Sequence, residues 1–127
     1  MSTSHDPALT IPIVQVSQPA PDVTVVGLTG EHDLASEPDV TAAIARALGR
    51  GNDVVVDLSE TLFIDSKIVG VLIKESAHAE ELDRQLVLRI HADSPARRVL
   101  EITTVDQRLR HYETVDSAVG AILEARA

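Results

Sequence analysis

Asp53-Val54-Val55-Val56-Asp57-Leu58 is a continuous apolar run held between charged ends, the pattern of an interior parallel strand covered by other structure. From about Lys67 to Asp83 the chain reads as a helix. Ile, Val and Leu lie on nearly all sides of its first turns, which predicts a deeply buried start. Its later half carries Lys74, Glu75, Glu80, Glu81 and Asp83 and is expected to be wet. Between strand and helix stands the turn Phe63-Ile64-Asp65-Ser66, which we read as the working part of a small binding switch rather than of an enzyme.

Outward from this unit the pattern repeats. Ile13-Val14-Gln15-Val16 reads as a short first strand, and Ser17 to Asp22 as a turn, because Pro19 and Pro21 lack backbone donors. Val23 to Thr29 is β-branched and predicts a second strand, antiparallel to the first. A helix follows, with Ser36 at its N-cap and Pro38 in its first turn. Val40, Ala43, Ile44, Ala47 and Leu48 recur on one face, and Gly49 and Gly51 end it. Leu86 to Ile90 predicts a further strand, and Ser94-Pro95 opens a helix with Val99, Leu100 and Ile102 on its apolar side. Arg108 to Tyr112 reads as a weak edge strand. Thr114 opens a last helix with Val115, Ala118, Val119, Ile122 and Leu123 inward. Strands alternating with helices predict an α/β fold with parallel pairing and right-handed crossovers. Residues 1–10 are polar and unpatterned and read as a flexible tail, leaving one domain over residues 11–127.

The 127 residues suit one domain, and a chain of that size buries roughly two-thirds of its unfolded surface. Aromatics are only 2% of the residues, so the core must be aliphatic. Twenty acidic against eleven basic side chains give a net charge of −9. Such a chain is repelled by phosphate backbones and anionic lipid, and it lacks the aromatic platforms that single-stranded nucleic acid needs. Nucleic acid and membrane are therefore not expected partners, whereas a protein with a basic patch is. No cysteine is present, which removes disulfides and thiolate metal sites. Met1 to Pro7 does not read as a signal peptide, and the run Ile68 to Ile73 is too short to span a bilayer. The expected location is the cytoplasm.

Two segments carry candidate chemistry. Ser66 lies where a helix's first N–H groups lack partners. Its phosphorylation would add about −1.5 to −2 charge at an end whose dipole favours anions by about 0.3–1 kcal/mol. Asp65 would repel that phosphate and Lys67 would partly offset the repulsion. Asp-Ser at this point also reads simply as a helix cap. Gly30-Glu31-His32-Asp33-Leu34 reads as a tight exposed turn, either a partner-contact loop or a solvated turn in which Asp33 bonds nearby N–H groups. No Gly-x-Ser-x-Gly elbow surrounds Ser66, and no phosphate-binding glycine loop occurs. The histidines His5, His32, His78, His91 and His111 show no metal-ligand spacing, although His32 and His111 could meet in space. No metal and no cofactor are expected.

The order and spacing of three segments resemble the STAS domain of bacterial anti-sigma-factor antagonists, from about Ile11 to Ala125. Gly30-Glu31-His32-Asp33-Leu34 is similar to the family's Gly-Glu-x-Asp-Leu turn. Val54-Val55-Val56-Asp57-Leu58-Ser59 follows, and then Phe63-Ile64-Asp65-Ser66 with Gly70, which resembles the family's aromatic-x-Asp-Ser-Ser/Thr-Gly-x-Gly segment. The resemblance implies a mixed, mostly parallel sheet of four or five strands with about four helices. It implies a non-catalytic antagonist that binds an anti-sigma factor with serine kinase activity and is released by phosphorylation at Ser66. Glu31, His32, Asp33, Asp65, Ser66, Lys67 and Ile68 are then the partner-binding residues, and the chain is a monomer or weak dimer. Lys67 and Ile68 stand where the family has a small hydroxyl residue and glycine; the isoleucine must be buried or obstruct docking.

The alternative is a non-switched STAS interaction or scaffold module, with Ile68 packed inward and a stable dimer or larger assembly. A third reading, a small hydrolase or nucleotide-binding enzyme using Asp33, Asp65 and Ser66, requires a concave pocket joining the two loops.

Overall fold

A computed structural model describes residues 11–126, and the tail expected at residues 1–10 lies outside the described residues. Strand β1 (Ile13–Ala20) and strand β2 (Val23–His32) form an antiparallel hairpin with Val16 opposite Val26. The first strand therefore runs past its expected end at Val16, and the turn shrinks to Pro21-Asp22. Pro19 is tolerated because β1 is an edge strand, and the register shifts between Ser17 and Ala20.

Strand β3 (Asp53–Asp57) lies parallel to β2, strand β5 (Leu86–Arg89) parallel to β3, and strand β6 (His111–Tyr112) parallel to β5. Strand β4 (Thr61–Ile64) was not expected as a strand. It pairs in parallel with the last residues of β2, beyond the end of β3, placing Glu31 opposite Phe63 and His32 opposite Ile64. Gly30 takes a φ of 90° at the register shift, a conformation that glycine adopts without steric cost. The segment from Gly30 to His32 is thus the end of a strand rather than a tight turn. Among the described residues the sheet has six strands in the order β1-β2-β3-β5-β6 with β4 on β2, where four or five were expected.

Five helices are present among the described residues: α1 (Glu37–Gly49), α2 (Ser66–Glu81), α3 (Pro95–Ile102), the single turn α4 (Val105–Arg108) and α5 (Val115–Arg126). On one face, Val26, Leu28, Val54, Val56 and Leu88 of the sheet meet Ile44 and Leu48 of α1, Ile68 and Leu72 of α2, and Leu100 of α3. On the other face, Val23, Val25, Val55 and Val87 lie beneath Ala118 and Ile122 of α5. The middle strands are buried on both sides, which is why β3 reads as an unbroken apolar run. Each such side chain contributes about 1.5–3 kcal/mol relative to exposure.

Three expectations about helix faces are corrected. Glu75 is 3% exposed rather than wet. It lies on the stripe of Ile68, Val71, Leu72 and Ala79, and its Oε1 is 2.9 Å from His78 Nδ1. Ile102 is 70% exposed and Leu123 is 42% exposed; Ala96 and Leu100 form the buried side of α3, and Ala118 and Ile122 that of α5.

Candidate functional site

The pairing of β4 with the end of β2 brings the two candidate segments side by side. Asp65 N donates to His32 O at 3.2 Å, immediately before α2 begins. Asp65 is extended, with φ −100° and ψ −177°, and its Oδ1 accepts from Lys67 N at 3.0 Å and Ile68 N at 3.1 Å. The carboxylate is therefore the helix cap, a role worth about 0.5–2 kcal/mol. Ser66 is the first helical residue, exposed, and its hydroxyl makes no hydrogen bond among the described residues.

Glu31, Asp33, Ser66 and Lys67 are exposed and Asp65 is partly so. Two of the expected contact residues face inward instead. Ile68 is fully buried in the core beside Leu72 and Ile64, because the third residue of α2 falls on the helix's inward stripe. It fills the core and leaves the surface at Ser66 unobstructed. His32 is also fully buried, since the alternation along β2 turns it away from Glu31. Its Nε2 donates to Thr29 O at 3.0 Å, so its Nδ1 is the acceptor toward Ser36 Oγ, also at 3.0 Å. Ser36 Oγ in turn accepts from Asp33 N at 3.3 Å, and Asp33 Oδ1 from Ala35 N at 2.9 Å. Ser36 thus braces the loop through His32 rather than capping α1 with its side chain.

Leu34, Leu62 and Phe63 are 62%, 44% and 46% exposed and add apolar surface to this end of the sheet. Sequence reasoning included Leu34 in a candidate contact loop without giving it a role and did not place Leu62 in the site. The available signal was their apolar character inside short charged segments, which local patterning assigns to a core. The resulting surface combines Glu31, Asp33 and Asp65 with one cation, Lys67. It suits a partner with a basic and apolar patch.

Among the described residues no base or pocket is assembled around Ser66. Both ring nitrogens of His32 are engaged, by Thr29 and Ser36, so neither is available as a base for Ser66. His111 lies on β6, three strand positions from β2, or about 14 Å at normal strand spacing, so the two histidines do not meet. Cavities lie beside α1, between α2 and α4, along β6, at the start of α3 and at the end of α5, and none of these five is lined by Asp33, Asp65 or Ser66. Among the described residues no cluster of His, Asp or Glu is arranged to hold a metal ion. No helix there is long and apolar enough to cross a membrane. Asp57 ties down the turn after β3: its Oδ1 accepts from Ser59 N at 2.9 Å, and Arg89 pairs with Oδ2 at 3.2 Å.

A family model described as "Mlab, STAS domain" matches residues 16–123. The chain belongs to the STAS family. A comparison with curated proteins finds no match. Among solved structures, this STAS domain is similar to an anti-sigma factor antagonist from Mycobacterium paratuberculosis, at 24% identity over 88% of this chain and 94% of that one, with a TM-score of 0.76. It is similar to the Bacillus cell fate determinant SpoIIAA in its phosphorylated form, at 19% identity over 87% and 99% of the two chains, TM-score 0.67. It also matches part of the murine anion transporter Slc26a9, at 16% identity over 92% of this chain but 23% of the transporter, TM-score 0.71. These likenesses establish the anti-sigma-antagonist-like fold of the STAS domain.

The inward His32 gives this STAS domain a pH dependence of defined sign. Burial lowers its pKa below the ordinary 6.5, against the raising effect of its backbone hydrogen bonds and of Asp33. The unfolded chain therefore takes up the proton first, and His32 weakens the fold as pH falls below about 6.5, by at most about 1.4 kcal/mol per pH unit. Urea unfolding between pH 7.5 and 5 should show the natural protein losing stability relative to His32→Gln. Parallel pH profiles would show that the imidazole is not protected from protonation.

Proposed function

We propose that this STAS domain is an anti-sigma-factor antagonist that binds an anti-sigma factor with serine kinase activity and is released when Ser66 is phosphorylated. The observation that carries the reading is the division of labour at the start of α2. Asp65 caps the helix, so the exposed Ser66 hydroxyl is free to accept a phosphoryl group without dismantling the fold. The apolar residues Leu34, Leu62 and Phe63 and the acidic Glu31 and Asp33 supply the contact surface. A phosphate inside that contact would be desolvated beside Asp65, with Lys67 offsetting part of the repulsion. The domain catalyses nothing itself, and ATP belongs to the partner. The phosphorylated form of the Bacillus determinant lends this reading support at the level of fold.

Candidate anti-sigma-factor kinases with ATP should add one phosphate, read by intact-mass spectrometry and absent in Ser66→Ala. The Ser66→Ala protein should bind and stay bound, whereas Ser66→Glu should bind at least about tenfold more weakly, a change of about 1.4 kcal/mol. Absence of phosphate in every complex would remove the switching half of the proposal.

The inward side chain of Ile68 favours a second reading, the non-switched interaction or scaffold module. That reading requires a stable dimer or larger assembly, and light scattering across a concentration series separates it from the monomer or weak dimer of a switched antagonist.

A further inference from the structure

β1 is an end strand of the sheet, and among the described residues only β2 pairs with it. Among the described residues no strand pairs with the alternate N–H and C=O groups along its outer side. Proteins usually blunt such edges by shortness, charge or proline. The opposite edge, β6, is two residues long. β1 is eight residues long and carries no charged side chain; Pro19 near its end leaves Ile13 to Gln18 unblunted.

Beneath this edge lies a cavity of about 340 Å³ between β1 and α1, lined by Val16, Gln18, Thr24, Asn52, Arg46 and Arg50. Its physical origin is the placement of α1. The inward residues of that helix, Val40, Ile44, Ala47 and Leu48, sit over the core. Val16 shares the face of its partner Val26 but remains 61% exposed. At the cavity's base Asn52 Nδ2 donates to Thr24 Oγ1 at 2.7 Å.

Arg46 and Arg50 stand one helical turn apart on the cavity wall, where like charges disfavour each other. Neither forms an ion pair or side-chain hydrogen bond among the described residues, whereas Arg89 and Arg126 are each bound to a carboxylate. The C-terminal dipole of α1 favours positive charge at this end. It explains neither the open strand nor the cavity beside it.

We propose that β1 is a docking edge for an extended acidic segment of a partner protein, which adds as a further strand and sets carboxylates at alternate positions against Arg46 and Arg50. Successive side chains of a strand point to opposite faces, so every second residue of the added strand lies on the face of Val16, toward α1. There it fills the cavity and meets the arginines. A second copy of this chain fits less well, because its own β1 offers no carboxylate to that wall. The edge is distinct from the Ser66 surface, so its occupancy does not depend on phosphorylation.

The test uses the full chain, isotopically labelled, with two probe peptides: acetyl-Thr-Glu-Val-Glu-Val-Glu-Thr-amide and its twin with lysine in place of glutamate. The glutamate peptide should shift the amide resonances of β1 and slow their hydrogen exchange. Its affinity should fall at least about tenfold in Arg46→Glu/Arg50→Glu, and remain measurable in Arg46→Lys/Arg50→Lys, which keeps the charge. Both variants alter exposed side chains, and an unchanged unfolding midpoint verifies their fold. Four results would each overturn the proposal: no binding at millimolar peptide, equal affinity for the lysine twin, shifts confined to the Ser66 surface, or a dimer that protects β1 by itself.

Discussion

Ile68→Gly should cost about 3–5 kcal/mol of folding stability, although glycine is the residue that the STAS pattern places there. Loss of a buried isoleucine side chain costs about 2–5 kcal/mol through lost transfer energy and the cavity left behind, and glycine adds up to about 1 kcal/mol of helix propensity. The site has little room to collapse, since Ile68 is fully buried in the same cluster as Ile64, Leu72 and Leu28. Urea unfolding should show a lower midpoint with little change in slope. Ile68→Val should lose only about 0.5–1.5 kcal/mol. A loss below about 1 kcal/mol for the glycine variant would mean that the surrounding turn relaxes and that Ile68 is not a structural pillar of the Ser66 surface. The substitution also bears on function. If the glycine variant is destabilised but binds the same partner, the isoleucine serves the core and not the contact.

Arg126→Ala should cost about 3 kcal/mol, despite lying at the exposed end of the last helix. Its guanidinium reaches Asp53 Oδ2 through Nε at 2.9 Å and Nη2 at 2.6 Å, and also donates to Asp22 O at 2.8 Å. Asp53 is 2% exposed, and the other hydrogen bond to its carboxylate among the described residues is from Gln85 N, at 2.7 Å. Removing one partner of a buried pair leaves an uncompensated charge, a loss of about 3–5 kcal/mol. The lower figure applies because the arginine is partly exposed and water can reach the gap. The pair ties α5 to the start of β3 and to the hairpin turn. Its loss should therefore speed amide exchange along α5, which covers Val23, Val25, Val55 and Val87. Asp53→Asn/Arg126→Ala should recover part of the loss, because the buried charge goes with the arginine. An effect under about 0.5 kcal/mol in the single variant would show that solvent already screens the pair.

The sequence alone determined the α/β alternation, because each interior element announces itself locally. The run Val54 to Val56 has no polar residue on either face, which only a strand covered on both sides can use. Ser94-Pro95 marked the start of α3, and the α1 stripe was legible at helical spacing. The order of the Glu31–Asp33 and Asp65–Ser66 segments was likewise visible, as was Asp33 binding its own loop. What only the tertiary structure decided lies at the chain's non-local contacts. Thr61 to Ile64 has two exposed apolar residues and no strand periodicity of its own. It becomes β4 because β2 outruns β3 and offers an unpaired edge. That pairing sets the direction of every side chain at the site, since a strand's faces alternate residue by residue. It turns Glu31 outward and His32 inward, and it anchors Asp65 to His32 O so that the carboxylate, not the serine, caps α2. The burial of Glu75 and Ile68 was likewise decided by packing between elements. Periodicity says which residues share a helix face, and the neighbouring elements decide how far along that face the core extends.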